Sequence, residues 1–280
     1  SLLIIISTGG LPVALSKMVS EANALNRGNQ VKKVFSLSLA AFCILGTISF
    51  CVMAFFPNQL ADAMNDSQAA YSILALAPAV FFICPMSAMR GYFQGHALMT
   101  PTAVSQIIEA LCKLVVGLAL ASTFQKMLND EAMAAAGAIL GVSVGCLLGA
   151  VYMYFCYRKH ARAQPKSNDE PENSGAILAT LAKLAVPITL SSSVIALTNI
   201  LDTKILLGQL QDALGMTEEL ARETKGVYDK AMTLYNLPAS FMVPLTASVI
   251  PHVSAALKVK RRRQAAQISE TTLRTTALLA

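Results

Sequence analysis

Charge is scarce in this chain: only 14% of its 280 residues are Asp, Glu, Lys or Arg. A typical soluble domain carries about 25%, so an ordinary water-soluble globule is excluded. Histidine is scarcer still, at three scattered residues. The six cysteines (Cys43, Cys51, Cys84, Cys112, Cys146, Cys156) lie inside or at the ends of apolar blocks, with no CxxC pair and no histidine cluster beside them. They fit small core residues, with neither a disulfide framework nor a metal site. No nucleophile with a placed base, no phosphate-binding glycine loop and no metal-ligand spacing occurs, which argues against an enzyme and implies no cofactor. Apolar and polar residues do not alternate with a period of two, so a β-barrel is excluded as well.

Hydrophobic residues make up 55% of the chain, with a mean hydropathy of +0.55. They are gathered at about 2–19, 35–56, 71–89, 102–121, 133–157, 184–207 and 234–257, and an eighth block begins near 272. Each full block is long enough to span a bilayer, which predicts an all-α, multi-pass membrane protein. The net charge of +6 does not imply nucleic acid, because the basic residues sit in short segments between apolar blocks. Arg27, Lys32 and Lys33, then Arg90, then Arg158, Lys159, Arg162 and Lys166, and last KVKRRR at 258–263 fall in every second connector. The positive-inside rule puts those connectors in the cytoplasm. The chain opens SLLIIISTGG without an initiator Met and stops at TTALLA inside a further apolar run, as expected of an internal piece of a longer protein. The opening lacks the basic region of a signal peptide.

Residues 163–175, AQPKSNDEPENSG, are polar and Pro-bearing, which predicts a disorder-like hinge linker. The expected organisation is a first lobe over 1–162 lacking its first helix, a cytoplasmic linker over 163–176, and the start of a second lobe over 177–280. A shift of 234 residues aligns Val19, Ser20, Ala22, Arg27 and Gln30 with Val253, Ser254, Ala256, Arg261 and Gln264. Six spans lie between the copies, so both run in the same direction, the pattern of a parallel duplication found in transporters. Between 208 and 228 a run of mixed charge predicts a surface helix.

Several spans carry polar stripes. Thr102, Gln106, Glu109 and Lys113 recur at spacings of four, three and four along one helix face. Lys113 falls roughly 16 Å along from Thr102, near mid-bilayer, where a charge costs about 2.5 to 3.5 kcal/mol and is a functional candidate. The alternative is a local Glu109 to Lys113 ion pair that only neutralises itself. Thr189, Ser192, Asn199 and Asp202 make a second stripe, Ser7, Gly10, Ala14, Lys17 and Glu21 a third, and Asn236, Ser240, Pro244 and Ser248 a fourth. Lys17 and Lys113 are candidates to contact a substrate anion, with Asn199 and Asn236 as polar wall; an interfacial role for Asp202 stays open. Gly137, Gly141, Gly145 and Gly149 form a small-xxx-small series, which predicts close helix packing.

The segments RGYFQGHALMTPTAVSQIIE, STGGLPVALSKMVSEA, LAVPITLSSSVIALTNILD and YNLPASFMVPLTASVIPHVS closely resemble the polysaccharide-transporter branch of the multidrug/oligosaccharidyl-lipid/polysaccharide flippase superfamily. Within it the likeness is to the stage V sporulation protein B group and the lipid II flippases of Gram-positive bacteria. The resemblance implies a two-lobe helical bundle of about fourteen helices in the cytoplasmic membrane, working as a monomer with membrane lipid around it. It implies alternating access that moves a lipid-linked oligosaccharide outward, such as an undecaprenyl-pyrophosphate cell-wall precursor. Lys17, Lys113 and Arg90 are the positions that would hold the pyrophosphate. Glu109 and Asp202 are less expected in a cavity for anions and would serve ion coupling or helix pairing. They keep open a cation-coupled multidrug exporter of the same superfamily.

Overall fold

The computed structural model describes residues 10–62, 69–128, 131–164, 167–213 and 215–279. Every described element is a helix: α1 Gly10–Ala24, α2 Gly28–Phe55, α3 Pro57–Asp62, α4 Ala69–Gly95, α5 Thr100–Leu128, α6 Glu131–Ala163, α7 Ser174–Asp212, α8 Glu218–Tyr235, α9 Leu237–Lys258 and α10 Arg262–Leu279. Five are long and apolar enough to cross a membrane, at Gly28–Phe55, Ala70–Gly95, Thr100–Met127, Met133–Ala163 and Ser174–Ser191. Helix is the form such segments must take, since hydrocarbon offers no partner to an unpaired amide or carbonyl.

The boundaries move where local capping overrides hydropathy. α7 begins ten residues before its expected apolar block, because the Asn173 side chain accepts a hydrogen bond from the Gly175 amide and starts the helix there. α10 likewise begins at Arg262 rather than near 272. The expected surface helix is α8, started by Thr217, whose hydroxyl accepts from the Leu220 amide.

α4 is the centre of the first lobe and packs against α1, α2 and α6. Its last turns bury Met86, Ala88, Tyr92 and Phe93. Phe35 of α2 stacks on Tyr92 of α4 and Tyr157 of α6, with ring centroids 4.9 and 4.4 Å apart. α5 and α6 form the tightest pair, and the glycine series explains why. A methyl group on Gly141 would lie 2.5 Å from the Gly117 Cα, and one on Gly145 would lie 3.0 Å from the Glu109 carbonyl oxygen. Only hydrogen fits at such a contact, so the two backbones touch.

The turns that follow α1 and α9 share a backbone geometry. Asn26 and Lys260, which the 234-residue shift superimposes, both adopt a left-handed conformation, with φ of 56° and 60°. The Arg27 amide bonds the Ala22 carbonyl at 3.0 Å, and its counterpart from Arg261 to Ala256 measures 2.9 Å. The turn after α4 has it too, with φ of 59° at Ala97 and the Leu98 amide bonded to the Phe93 carbonyl at 2.9 Å, so this is a recurrent helix ending and no mark of the repeat.

The linker departs from its expected disorder-like character. Its described residues between the helices, 167–173, have no regular structure, yet they are pinned to the turn between α1 and α2. The Asp169 carboxylate accepts from the Asn29 and Gln30 amides, both at 2.9 Å, and so caps α2 in place of a residue from the helix's own chain neighbourhood. Asn29 donates to the Ser167 carbonyl, Gln30 accepts from the Glu172 amide, and Lys33 donates to the Glu172 carbonyl. Composition alone missed this because the partners lie about 140 residues away.

Candidate functional site

α1 stands between the lobes. On one side Gly91 and Gly95 of α4 let it approach closely, so that a methyl group on Gly95 would sit 2.6 Å from the Val19 Cβ. On the other side it meets the second lobe. A methyl group on Gly10 would lie 2.8 Å from the Thr189 amide nitrogen and 2.9 Å from the Ala185 carbonyl oxygen, both in α7. Near the C-terminal end of α1, Glu21 accepts from the Lys258 ammonium of α9 at 3.2 Å. Gly10, Ala14, Lys17 and Glu21 recur at four, three and four residues, so they share a face. Lys17 is therefore carried between two points at which that face touches the second lobe, and it is half-buried.

The second stripe resolves differently. Glu109 is not paired with Lys113 four residues on. The Arg90 guanidinium of α4 reaches it instead, with 2.5 Å between Nη2 and Oε2. Arg90 Nε also donates to the Ser105 hydroxyl at 2.9 Å, and that hydroxyl donates to the Thr102 carbonyl at 2.7 Å. The Cys146 thiol of α6 donates to the other Glu109 oxygen at 3.4 Å. Arg90 and Glu109 side chains are only 11% and 21% exposed, so this is a largely buried pair tying three helices together. Lys113 is left exposed, without an ion-pair partner among the described residues. By helix geometry it lies on the flank of the packed face of α5, about 100° or more from Ile107, Leu114 and Leu118 on the exposed apolar side. α5 packs on α6 and α4 and does not touch α1, so Lys17 and Lys113 lie on helices that are not in contact.

Of the second-lobe candidates, Asp202 is exposed on α7, and Thr189 packs at Gly10. The side chain of Asn199 lies outside the described residues. Asn236 is an exposed junction residue between α8 and α9, and its amide group donates back to the Met232 carbonyl at 2.9 Å. Sequence reasoning missed Ser105 and Cys146 as supports of Glu109, and Lys258 as the partner of Glu21. A signal for the first existed: folding the chain about the turn near 97–98 sets Arg90 opposite Ser105, and a long guanidinium reaches one turn further.

A two-lobe bundle with a lysine on an inter-lobe face suits a transporter, and the comparisons with known proteins agree. The family described as polysaccharide biosynthesis protein matches residues 1–257. The chain belongs to that family. It thereby falls in the polysaccharide-transporter branch of the multidrug/oligosaccharidyl-lipid/polysaccharide flippase superfamily and is a multi-pass membrane protein. It is similar to stage V sporulation protein B of Bacillus subtilis (strain 168), 29% identical over 255 residues, which are 90% of this chain and 49% of that protein. It is also similar to the lipid II flippase MurJ of the same organism, 27% identical over 164 residues, covering 55% of this chain and 30% of the flippase. The chain thus spans about half the length of stage V sporulation protein B. Among solved structures, the crystal structure of MATE in complex with Br-NRF matches with a TM-score of 0.73 and 16% identity, over 99% of this chain and 63% of the other. At that identity the likeness establishes the fold, which is the all-α two-lobe bundle expected from the sequence.

Proposed function

We propose that the protein is part of a flippase that moves a lipid-linked cell-wall or polysaccharide precursor, such as an undecaprenyl-pyrophosphate sugar, outward across the cytoplasmic membrane by alternating access. The observation that carries this is the half-buried Lys17 on the α1 face turned to the second lobe. A charged headgroup cannot cross hydrocarbon unaided, and an ammonium held between two lobes offers it a charge-assisted partner while the lipid tail stays in the bilayer. Lys113 is the second cation open to a diphosphate. Arg90, committed to Glu109, takes the role of positioning α5 rather than of binding. The similarity to a lipid II flippase supports the substrate class.

The pairing of Glu109 with Arg90 also favours this reading over a cation-coupled drug exporter, because it occupies one of the two carboxylates, Glu109 and Asp202, that ion exchange would use. The transporter acts as a monomer in this proposal, its two lobes supplying both walls of one path.

The test is complementation. The intact protein is expected to restore externalisation of a lipid-linked precursor in cells depleted of their own flippase. Restoration of organic-cation efflux without precursor externalisation would replace this reading with the exporter.

A further inference from the structure

We infer that Glu21 and Lys258 form a one-sided latch that holds the cytoplasmic ends of the two lobes together and must break for that side to open; this rests on the transporter reading above. α1 and α9 are the helices that the 234-residue shift aligns, and each ends in a left-handed turn. These equivalent helices meet each other at those ends, where Ala22 and Ala256, superimposed by the repeat, are both 6% exposed. The charge pair breaks the symmetry. Under the same shift Glu21 corresponds to Ala255 and Lys258 to Ala24. The mirror position therefore holds two alanines, and there the helices form a half-open cavity of about 110 Å³ lined in part by Ser20, Asn23, Ala24, His252 and Ala255.

The energetics fit a contact made to be broken. Lys258 and Glu21 side chains are 46% and 28% exposed, so water is at hand to solvate both charges when they part. The Arg90 to Glu109 pair inside the first lobe, with less than half that exposure on average, is a strut by comparison. Ion pairs as exposed as Glu21 to Lys258 shift a two-state population only a few-fold, enough to bias a gate without locking it. Other cations nearby, in the Arg261–Arg263 run, carry no acidic partner from α1 among the described ion pairs, which leaves Glu21 as the residue that selects Lys258.

The test uses the full-length protein in inside-out vesicles, in a background without native cysteines and with Ser20→Cys as reporter, a position 3% exposed beside the cavity. A membrane-impermeant maleimide reads how often the cytoplasmic side opens. Glu21→Gln and Lys258→Gln are each expected to raise the labelling rate about two- to fivefold, and the exchange Glu21→Lys with Lys258→Glu to return it to the parent rate. Labelling unchanged in the single variants, or an exchange that labels as fast as either, would overturn the latch. As a second measurement, Glu21→Cys with Lys258→Cys is expected to cross-link with a short bis-methanethiosulfonate reagent, each thiol displacing a sulfinate, and absence of the cross-linked product would overturn it too. Labelling needs no lipid substrate, so a failed precursor-transport assay beside the expected labelling removes the substrate assignment and leaves the latch standing.

Discussion

Arg90 and Glu109, nineteen residues apart, join α4 to α5 through a contact of 2.5 Å that Ser105 and Cys146 reinforce from either side. The charge of each is neutralised by the other and not by water, since both side chains are mostly buried. Removing one partner strands the other in a poor dielectric. Glu109→Ala and Arg90→Ala are each expected to destabilise the folded protein by about 3 kcal/mol. The double variant is expected to cost clearly less than the sum. Thermal unfolding in detergent gives all four corners of the cycle, and strict additivity would mean that the two side chains do not interact.

The contact of Gly141 with Gly117 leaves no room for a side chain. Gly141→Val forces α5 and α6 apart along the seam that also carries Gly137 and Gly145. The expected loss is about 1 to 3 kcal/mol, in the range of core overpacking. Gly175→Ala, at a helix start with nothing within 4 Å of the added methyl, is the matched control. Equal stability of the two variants would contradict the close seam.

The linker is expected to respond to acid at a defined place. Burial acts to raise the Asp169 carboxyl, but the hydrogen bonds from Ser167 and from the Asn29 and Gln30 amides outweigh it and hold the group down at about 2, below the ordinary carboxyl value of 3.8. A group whose value is depressed on folding stabilises docking fully above its ordinary value. That contribution is lost as the pH falls from about 4 through about 2. Hydrogen exchange at the Asn29 and Gln30 amides is expected to show protection at pH 5 that weakens below 4. In Asp169→Asn the protection is expected to be reduced already at pH 5.

How much of this was legible in the sequence follows from the range of the forces involved. Spans and the surface helix α8 are set by hydropathy and charge within a few dozen residues; five expected spans stand as long apolar helices, while α7 and α8 begin about ten residues from their expected starts. The glycine seam was visible for the same reason, as a four-residue period. The 234-residue repeat rests on five identities in the sequence, since the left-handed turn at Asn26 and Lys260 recurs at Ala97 outside it. What stayed hidden were choices of partner. Glu109 had two cations within reach, one on its own helix and one on α4, and nothing local told that Arg90 would take it. Asp169 looked like part of a free tether because its partners, two unsatisfied amides at the start of α2, leave no mark in composition. Lys258 read as one more cytoplasmic cation until the fold set Glu21 beside it.

Lys17 and Lys113 are proposed to meet the anionic headgroup. That contact is read most directly from the affinity of the full-length protein in nanodiscs for a lipid-linked pyrophosphate, compared among the parent, Lys17→Ala, Lys113→Ala and the double variant. A charge-assisted hydrogen bond contributes about 1.5 to 3 kcal/mol, so each single substitution is expected to weaken binding at least tenfold. Affinity unchanged by both substitutions would contradict the claim.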